Sequence, residues 1–290
     1  MFDNIFAAIE KWMRELLTGM VESNMSTMFT DVNEKTSEIA AQVGRTPQNW
    51  NSSVFSMIQN LSESVVVPIA GIIITLVLCY ELISVLTERN NLHDVDTWMF
   101  FKYFVKAWVA IYLVSNTFTI TMAVFDVGQS VVNSASGIIN GETAIDVSSL
   151  SMQMQAAMAT MEIGELVVLA LETFLVSFCM KIMSVVITVI VYGRMIEIYL
   201  YTSLAPIPFA TMSNREWGHV GTNYFRGLFA LAFQAFLMMV CVAIYAALIS
   251  SVRISSNMHS ALIGVAAYTV ILCFSLMKTG SLSKQIFGSH

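Results

Sequence analysis

The stretch Ser203-Leu204-Ala205-Pro206-Ile207-Pro208-Phe209-Ala210 interrupts the long apolar sequence in the second half of the chain. Its two prolines lack a backbone N–H and fix φ, so they end a helix, and the residue before each, Ala205 and Ile207, is expected to be extended. Carbonyl groups released by such a break need protein or water as partners in an apolar environment. The broken segment, residues 193–212, is therefore predicted to line a cavity or a docking surface.

The composition of the whole chain indicates a membrane protein. Of its 290 residues, 56% are hydrophobic and only 12% are charged, which leaves more apolar surface than a soluble domain can bury. The formal net charge of -6 and the lack of a Lys and Arg cluster exclude an extended nucleic-acid-binding surface. The four cysteines lie singly within apolar stretches, so neither a disulfide framework nor a zinc site is predicted.

Five apolar stretches are long enough to cross a hydrocarbon core of about 30 Å. The predicted fold class is therefore an all-α polytopic membrane protein with about five transmembrane helices, at residues 65–87, 98–125, 166–191, 224–249 and 261–277. The broken segment is too short to cross comfortably, and it is predicted to be re-entrant or interfacial. The transmembrane domain so defined covers residues 65–280, and a short cytoplasmic tail, 281–290, follows it.

The first 64 residues, 1–64, form a region without a predicted span. Between Phe2 and Met20 apolar residues recur at three- and four-residue spacing with charges on the other face, which predicts an amphipathic helix. Such a helix either lies in the membrane interface or packs on a partner or a sister subunit. The polar residues that follow predict helical pieces with a loop at about 43–51. We expect the whole region on the extracytoplasmic side.

The distribution of charges predicts the orientation in the membrane. Basic residues flank the first hairpin, the broken segment and the last span: Arg89, Lys102, Lys106, Arg194, Arg215, Lys278 and Lys284. The connection 126–165 contains acidic residues but no Lys or Arg: Asp126, Glu142, Asp146, Glu162 and Glu165. Because Lys and Arg are enriched in cytoplasmic flanks, we expect the N-terminus outside, the C-terminus inside and the 126–165 connection outside.

No sequence motif of a catalytic or cofactor-binding site is present. The chain has no phosphate-binding loop, no dinucleotide-binding glycine pattern, no zinc-protease motif and no nucleophile elbow, and its four histidines are scattered. We therefore expect no enzymatic activity, no catalytic residues, no cofactor and no metal. Any nucleotide hydrolysis that drives the protein is expected to come from a partner.

Ionisable residues within the spans are the candidates for function. Each costs about 2.5 to 3.5 kcal/mol at a helix centre and is expected to face protein or water. Glu81 comes near Lys106 in an antiparallel hairpin, which favours an ion pair, although both side chains could instead reach the cytoplasmic interface separately. Glu172 and Lys181 lie on opposite faces of one helix, so each needs another helix, a sister subunit or an aqueous lumen.

Residues around the proline break form a second group of candidates. Arg194 and Glu197 have the three-residue spacing of a pair on a helix surface, and nearby tyrosines are typical of an interfacial aromatic belt. The candidate docking surface consists of Arg194, Glu197, Ala205, Pro206, Ile207, Pro208, Trp217 and Gln234.

The same region carries a family resemblance. The quoted segments are Arg194-Met195-Ile196-Glu197-Ile198-Tyr199, the stretch Ser203 to Ala210, Glu216-Trp217-Gly218, Asn223-Tyr224-Phe225 and Phe229-Ala230-Leu231-Ala232-Phe233-Gln234. Together they resemble the TrbL-type polytopic channel subunit of conjugative type IV secretion, in versions found on integrative elements of Gram-positive Firmicutes. The resemblance is most specific over residues 190–250.

The resemblance implies a cytoplasmic-membrane component of a mating channel. Such a subunit is expected to assemble with itself, with other channel subunits, with secretion ATPases and with a cell-wall hydrolase. Together they would export single-stranded DNA with its relaxase. Two alternatives stay open: a structural scaffold of the same complex without its own lumen, and a secondary transporter with a midplane substrate site.

Overall fold

Helices account for every regular element that the computed structural model describes, which comprises residues 2–87, 97–139, 147–252 and 258–289. The charged turn at 88–96, including Arg89, and the acidic residues Glu142 and Asp146 lie outside the described residues. In chain order the helices are α1 (Phe2–Val43), α2 (Pro47–Trp50), α3 (Ser52–Leu61), a π-helical turn (Ser62–Val66), α4 (Val67–Thr87), α5 (Thr97–Ser115), α6 (Thr117–Ile139), α7 (Val147–Met158), α8 (Ile163–Ser203), α9 (Pro206–Thr211), α10 (Gly218–Ser250) and α11 (Met258–Phe287).

Four helices of the described chain are long and apolar enough to cross a membrane. They are Ser52–Thr87, Ile163–Ser203, Gly218–Ser250 and Met258–Phe287. The bent pair Phe100–Ser115 and Thr117–Ser136 raises the number to five if it forms one span. The predicted fold class, an all-α polytopic membrane protein, is confirmed.

A bend between α5 and α6 lies within the span expected at 98–125. The two helices meet at an angle of 69°. At the junction the Asn116 side chain donates to the Tyr112 carbonyl at 2.9 Å, and the Thr117 hydroxyl donates to the carbonyls of Leu113 and Val114, both at 2.8 Å. Side chains that bond the preceding turn in this way compete with the backbone ladder and bend helices.

The break after α8 is a tight turn rather than an extended segment. Ala205 has helical backbone angles (φ -50°, ψ -39°), and the Ile207 amide donates to the Leu204 carbonyl at 3.2 Å. These observations correct the expectation of extended geometry at Ala205 and Ile207. Both prolines lie in the first turn of α9, where backbone N–H groups have no acceptor within the helix, so they remove no helical hydrogen bond.

The N-terminal region consists of one long helix followed by short ones. Helix α1 spans 42 residues, and the predicted loop at 43–51 is where α1 ends and the four-residue helix α2 lies. The Thr46 side chain caps α2 by accepting from the Asn49 amide at 3.3 Å, and Asn51 caps α3 by accepting from the Val54 amide at 3.1 Å. These caps satisfy backbone donors that a new helix leaves without partners.

The chain divides into two compact units. Unit 1 comprises Met1–Val43, Ser134–Val191 and Met238–Lys278, and unit 2 comprises Gly44–Asn133, Tyr192–Leu237 and Thr279–His290. Unit 1 buries apolar side chains of α1, α8, α10 and α11, among them Met28, Leu169, Met238 and Leu262. Unit 2 contains the proline break, and its core is described below.

Candidate functional site

The proline break is packed inside unit 2. Helix α9 lies against α4 and α5, and Ala205, Phe209 and Ala210 are almost fully buried. They share one apolar cluster with Ala70, Ile74, Leu78, Ala110, Val114 and Tyr224. The break is therefore held by protein contacts on the side that faces α4 and α5.

Two tyrosines fix the end of α8 against the start of α10. The rings of Tyr201 and Tyr224 stack with centroids 4.4 Å apart. The Tyr201 hydroxyl donates to the Tyr224 carbonyl at 3.1 Å, and the Tyr224 hydroxyl donates to the Tyr201 carbonyl at 2.6 Å. Because each hydroxyl satisfies the backbone of the other residue, the pair stabilises both the stacking geometry and the helix ends.

The loop after α9 is ordered by a buried asparagine. Asn214 is 3% exposed, and its Oδ1 accepts from the amides of Glu216 at 2.7 Å and Trp217 at 3.0 Å. The Trp217 ring stacks on Tyr80 of α4 with centroids 5.9 Å apart, and the Tyr80 hydroxyl donates to Glu216 at 3.0 Å. The loop is thus tied to α4 by one aromatic and one polar contact.

A glycine allows α10 to approach the break closely. A Cβ atom at Gly221 would lie 2.1 Å from Cγ of Met212 and 2.5 Å from the carbonyl oxygen of Pro208. No side chain can occupy this position unless the backbone of α9 moves. Position 221 therefore requires glycine because of close packing and not because of its backbone angles.

The candidate docking surface is only partly exposed. Arg194 and Gln234 are 6% and 7% exposed, and Ala205 and Pro206 are buried as well, which corrects the expectation that these four residues lie on a surface. Ile207, Pro208 and Glu197 are partly exposed, and Trp217 is 44% exposed. The accessible part of the group is the loop around Trp217 together with the outer side of α9.

Arg194 and Glu197 bond different partners. Nη2 of Arg194 donates to the Leu231 carbonyl at 3.3 Å, and Glu197 accepts from Nζ of Lys284 at 3.0 Å. Neither bond joins the two residues to each other, because α10 covers Arg194 while Glu197 faces the end of α11; the charge of Glu197 still acts on Arg194 through space. Nε of Arg194 is buried without a hydrogen-bond partner.

Glu81 and Lys106 are brought together as the hairpin argument predicted. Nζ of Lys106 lies 2.5 Å from Oε1 of Glu81. Close by, the Tyr103 hydroxyl donates to the Leu78 carbonyl at 2.9 Å, so polar contacts join α4 and α5 at two adjacent positions. The Glu81 side chain is only 17% exposed. The Lys106 ammonium group is therefore the main partner that offsets the lost hydration of the carboxylate.

Glu172 and Lys181 have different environments in unit 1. Glu172 pairs with Nδ1 of His259 at the start of α11, so it does find a partner on another helix, whereas Lys181 is exposed on α8. In the sequence, His259 is one of four scattered histidines and has no visible partner. Only the packing of α11 on α8 makes its role visible.

Several residues of these sites were not singled out from the sequence. They are Tyr80, Asn214, Gly221, His259 and Thr279, and the last of these accepts from Nε2 of Gln234 at 3.4 Å. An Asn before the start of a helix is a recognised cap signal and could have been found; the other four depend on tertiary contacts. In the described parts of the chain, no group of three or more His, Cys, Asp or Glu side chains could hold a metal ion.

Comparison with known proteins assigns the family. The chain matches the family described as TrbL/VirB6 plasmid conjugal transfer like protein over residues 32–206, which is more than half of its length. No curated protein and no solved structure matches it. The match ends at Pro206, so it rests mainly on residues before the stretch 190–250 that carries the resemblance in the sequence. The chain therefore belongs to the TrbL/VirB6 family and is a multi-pass membrane subunit of a conjugal transfer, type IV secretion apparatus.

Proposed function

We propose that this chain is a homo-oligomeric channel or scaffold subunit that helps single-stranded DNA and its attached relaxase to cross the bacterial cytoplasmic membrane. The observation that carries the proposal is the family match over 32–206, which includes α4, α5, α6 and all of α8. The subunit performs no chemistry of its own. Secretion ATPases supply the energy, and a cell-wall hydrolase and other channel subunits complete the machine.

The partners dock on the exposed part of the break in this proposal. Trp217 and the outer side of α9 offer an aromatic and apolar surface beside Glu216 and Arg215, which are exposed. Exposed aromatic residues next to charges are typical of protein interfaces. The buried side of α9, packed on α4 and α5, supports this surface from behind.

The proposed orientation places the break in the cytoplasm, with the N-terminus outside. Arg194, Arg215 and Lys284 lie at the break and at the end of α11, whereas Glu162 and Glu165 lie at the start of α8. The proposal also assigns the chain to a Gram-positive integrative element, which rests on the sequence resemblance alone.

A scaffold without a lumen of its own is the second candidate. The apolar cluster around Phe209 and Tyr224 fills the space beside the break with side chains, which favours a structural role for unit 2. Both candidate functions place the chain in the same membrane with the same partners, and both make it necessary for DNA transfer.

The experiment that tests the proposal is a mating assay with a donor that lacks the gene. We expect transfer to fall to background and to return with the wild-type gene. The double variant Pro206→Ala, Pro208→Ala should fail to restore transfer, because without the Pro206 ring α8 can continue past Ser203 and α9 leaves α4 and α5.

The matched control is Leu204→Ala, which shortens an exposed side chain in the same turn. It should restore transfer, and all variants should reach the membrane at equal levels on immunoblots. Undiminished transfer from the deletion strain would refute the secretion function and return the transporter to consideration.

A further inference from the structure

Helix α1 runs parallel to the span α8 within unit 1. Nη1 of Arg14 donates to the Met161 carbonyl at 2.7 Å, just before α8 begins. Further along, the Ser177 hydroxyl donates to the Asn24 carbonyl at 3.3 Å, and Nζ of Lys35 donates to the Thr188 hydroxyl at 2.9 Å. The contacts join successive positions of the two helices in the same order along the chain. The second half of α1 therefore lies at the depth of the apolar part of α8.

This half of α1 has two sharply different faces. The buried face is apolar and consists of Val21, Met25, Met28, Phe29, Val32, Ile39 and Val43. The exposed residues are Ser23, Ser26, Thr27, Thr30, Glu34, Ser37 and Ala41. At about 100° per residue the exposed residues all fall on one side of the helix, opposite the buried ones. We call this side the hydroxyl strip of α1.

The neighbouring helix shows what a lipid-facing surface looks like at this depth. Apart from Lys181, the exposed large side chains of α8 in the same region are apolar, with Phe178 56%, Ile182 45% and Val185 64% exposed. The hydroxyl strip has no large apolar side chain and carries the carboxylate of Glu34. Lipid cannot hydrogen-bond these groups, and ionisable residues at membrane depth face water or protein.

The outward face of α1 changes character after Met20, a short way along α8. Up to Met20 the same side is apolar, with Ile9, Trp12, Leu16 and Met20 between 47% and 60% exposed. A helix that kept its outward face in lipid along α8 would stay apolar beyond Met20, at the depth of Phe178, Ile182 and Val185. The observed order is that of a helix whose outward face meets water at membrane depth.

We propose that the hydroxyl strip of α1 lines an aqueous passage at the depth of α8. This inference rests on the proposed channel function, because further subunits must enclose the water on the other sides. It assigns the wall of the passage to the N-terminal helix rather than to the broken segment. The apolar face of α8 then meets lipid, and Lys35 holds the α1 side of the wall to the span through Thr188.

The test is the reaction of single cysteines with a charged, membrane-impermeant methanethiosulfonate reagent, in cells that express the full-length protein. The background is a variant in which Cys79, Cys179, Cys241 and Cys273 are replaced and transfer is retained. We expect Ser26→Cys, Thr30→Cys and Ser37→Cys to react at least about tenfold faster than Ile182→Cys and Val185→Cys, because thiols form the reactive thiolate in water and hardly in lipid.

Buried positions on α1 provide the second control. Met28→Cys and Val32→Cys should react as slowly as the α8 positions, so that reactivity follows the helical period along α1. Equal reaction at Thr30→Cys and Val185→Cys would overturn the proposal. It would also fail if the strip is unreactive and its cysteines cross-link between copies, since the strip would then be a dry subunit contact.

Labelling and mating separate this inference from the proposed function. If the deletion abolishes mating but the strip does not react, the channel function stands and the wall lies elsewhere. If the strip reacts but the deletion leaves mating unchanged, the passage stands and its assignment to DNA transfer is wrong.

Discussion

Glu81 and Lys106 meet although residues 88–96 separate their helices along the chain. The pair could be expected from sequence because a hairpin fixes which positions of two adjacent spans face each other. The contact between Glu172 and His259 could not, since 87 residues separate them and only the packing of α11 on α8 creates it. Ion pairs inside a membrane are thus predictable where the connection is short.

The Glu81 and Lys106 pair leads to a stability prediction. Lys106→Met should destabilise the protein by about 1–2 kcal/mol, because it leaves the largely buried Glu81 carboxylate without its cation. This loss is smaller than for a fully buried pair, because the Lys106 side chain is 41% exposed and solvent screens its charge. The measurement is thermal unfolding in detergent. Lys11→Met, which removes an exposed pair with Glu15, serves as the control and should have almost no effect.

A second variant decides whether the pair or the lysine alone matters. Glu81→Gln combined with Lys106→Met should recover most of the lost stability, because no uncompensated charge remains. A double variant as unstable as Lys106→Met alone would contradict this account.

Gly221 provides a prediction about close packing. Gly221→Ala should lower stability by about 1–3 kcal/mol, because its Cβ would overlap the Pro208 carbonyl and force α9 to shift. Gly193→Ala is the control, since nothing lies within 4 Å of the added Cβ, and in a helix it should be neutral or stabilising by about 0.5–1 kcal/mol. Equal melting temperatures for the two variants would show that the break tolerates movement.

At the level of elements, the sequence predicted where α8 is interrupted more reliably than it predicted the backbone geometry of the interruption. The prolines correctly marked the end of α8, but extended geometry did not follow, because both fall in the first turn of a new helix. The bend between α5 and α6 was missed. No proline or glycine marks it, and it depends on side-chain bonds from Asn116 and Thr117 to the preceding turn.

The loop between α9 and α10 can be tested through Asn214. Asn214→Ala removes the acceptor for the amides of Glu216 and Trp217, and we expect a loss of about 1 kcal/mol, as for a helix cap. The neighbouring Ser213→Ala should leave the melting temperature in detergent unchanged. Fluorescence of Trp217 should also change only in the Asn214 variant, since its stacking on Tyr80 depends on the loop; unchanged fluorescence would contradict this role.

For the whole molecule, contacts within unit 2 support the proposed topology. The end of α11 lies beside the first half of α10 and the end of α8, through Ser283 to the Ala230 carbonyl at 2.6 Å and Lys284 to Glu197 at 3.0 Å. The break and the C-terminal turns therefore belong to the same end of unit 2, which agrees with the basic residues that flank both.

Cysteine labelling tests this topology directly. In the cysteine-free background, Ser213→Cys and Ser281→Cys should react with an impermeant reagent only after the cells are opened. Thr160→Cys, in the exposed turn before α8, should react in intact cells. Labelling of Ser281→Cys but not Ser213→Cys from outside would place the break and the C-terminus on opposite sides, which requires one more crossing between them.

Hydropathy indicated the class of the molecule, but it left the position of α1 open. The sequence suggested an amphipathic helix followed by polar pieces, because a helix with serine, threonine and charges does not resemble a span. In the structure the apolar side chains of its second half, from Val21 to Val43, are buried by packing within unit 1, whereas Ile9, Trp12 and Leu16 of its first half are exposed. Polarity averaged over a window cannot separate a helix that avoids the membrane from one shielded within it.

The chemistry of the hydroxyl strip sets what could move past it. Hydroxyl groups and the carboxylate of Glu34 hold a polyanion only weakly, whereas lysines or arginines would bind it tightly and release it slowly. In the proposed passage, a wall of this kind would impose little friction on a translocating strand. Its speed would then be governed by the force that the motor applies and not by escape from binding sites along the way.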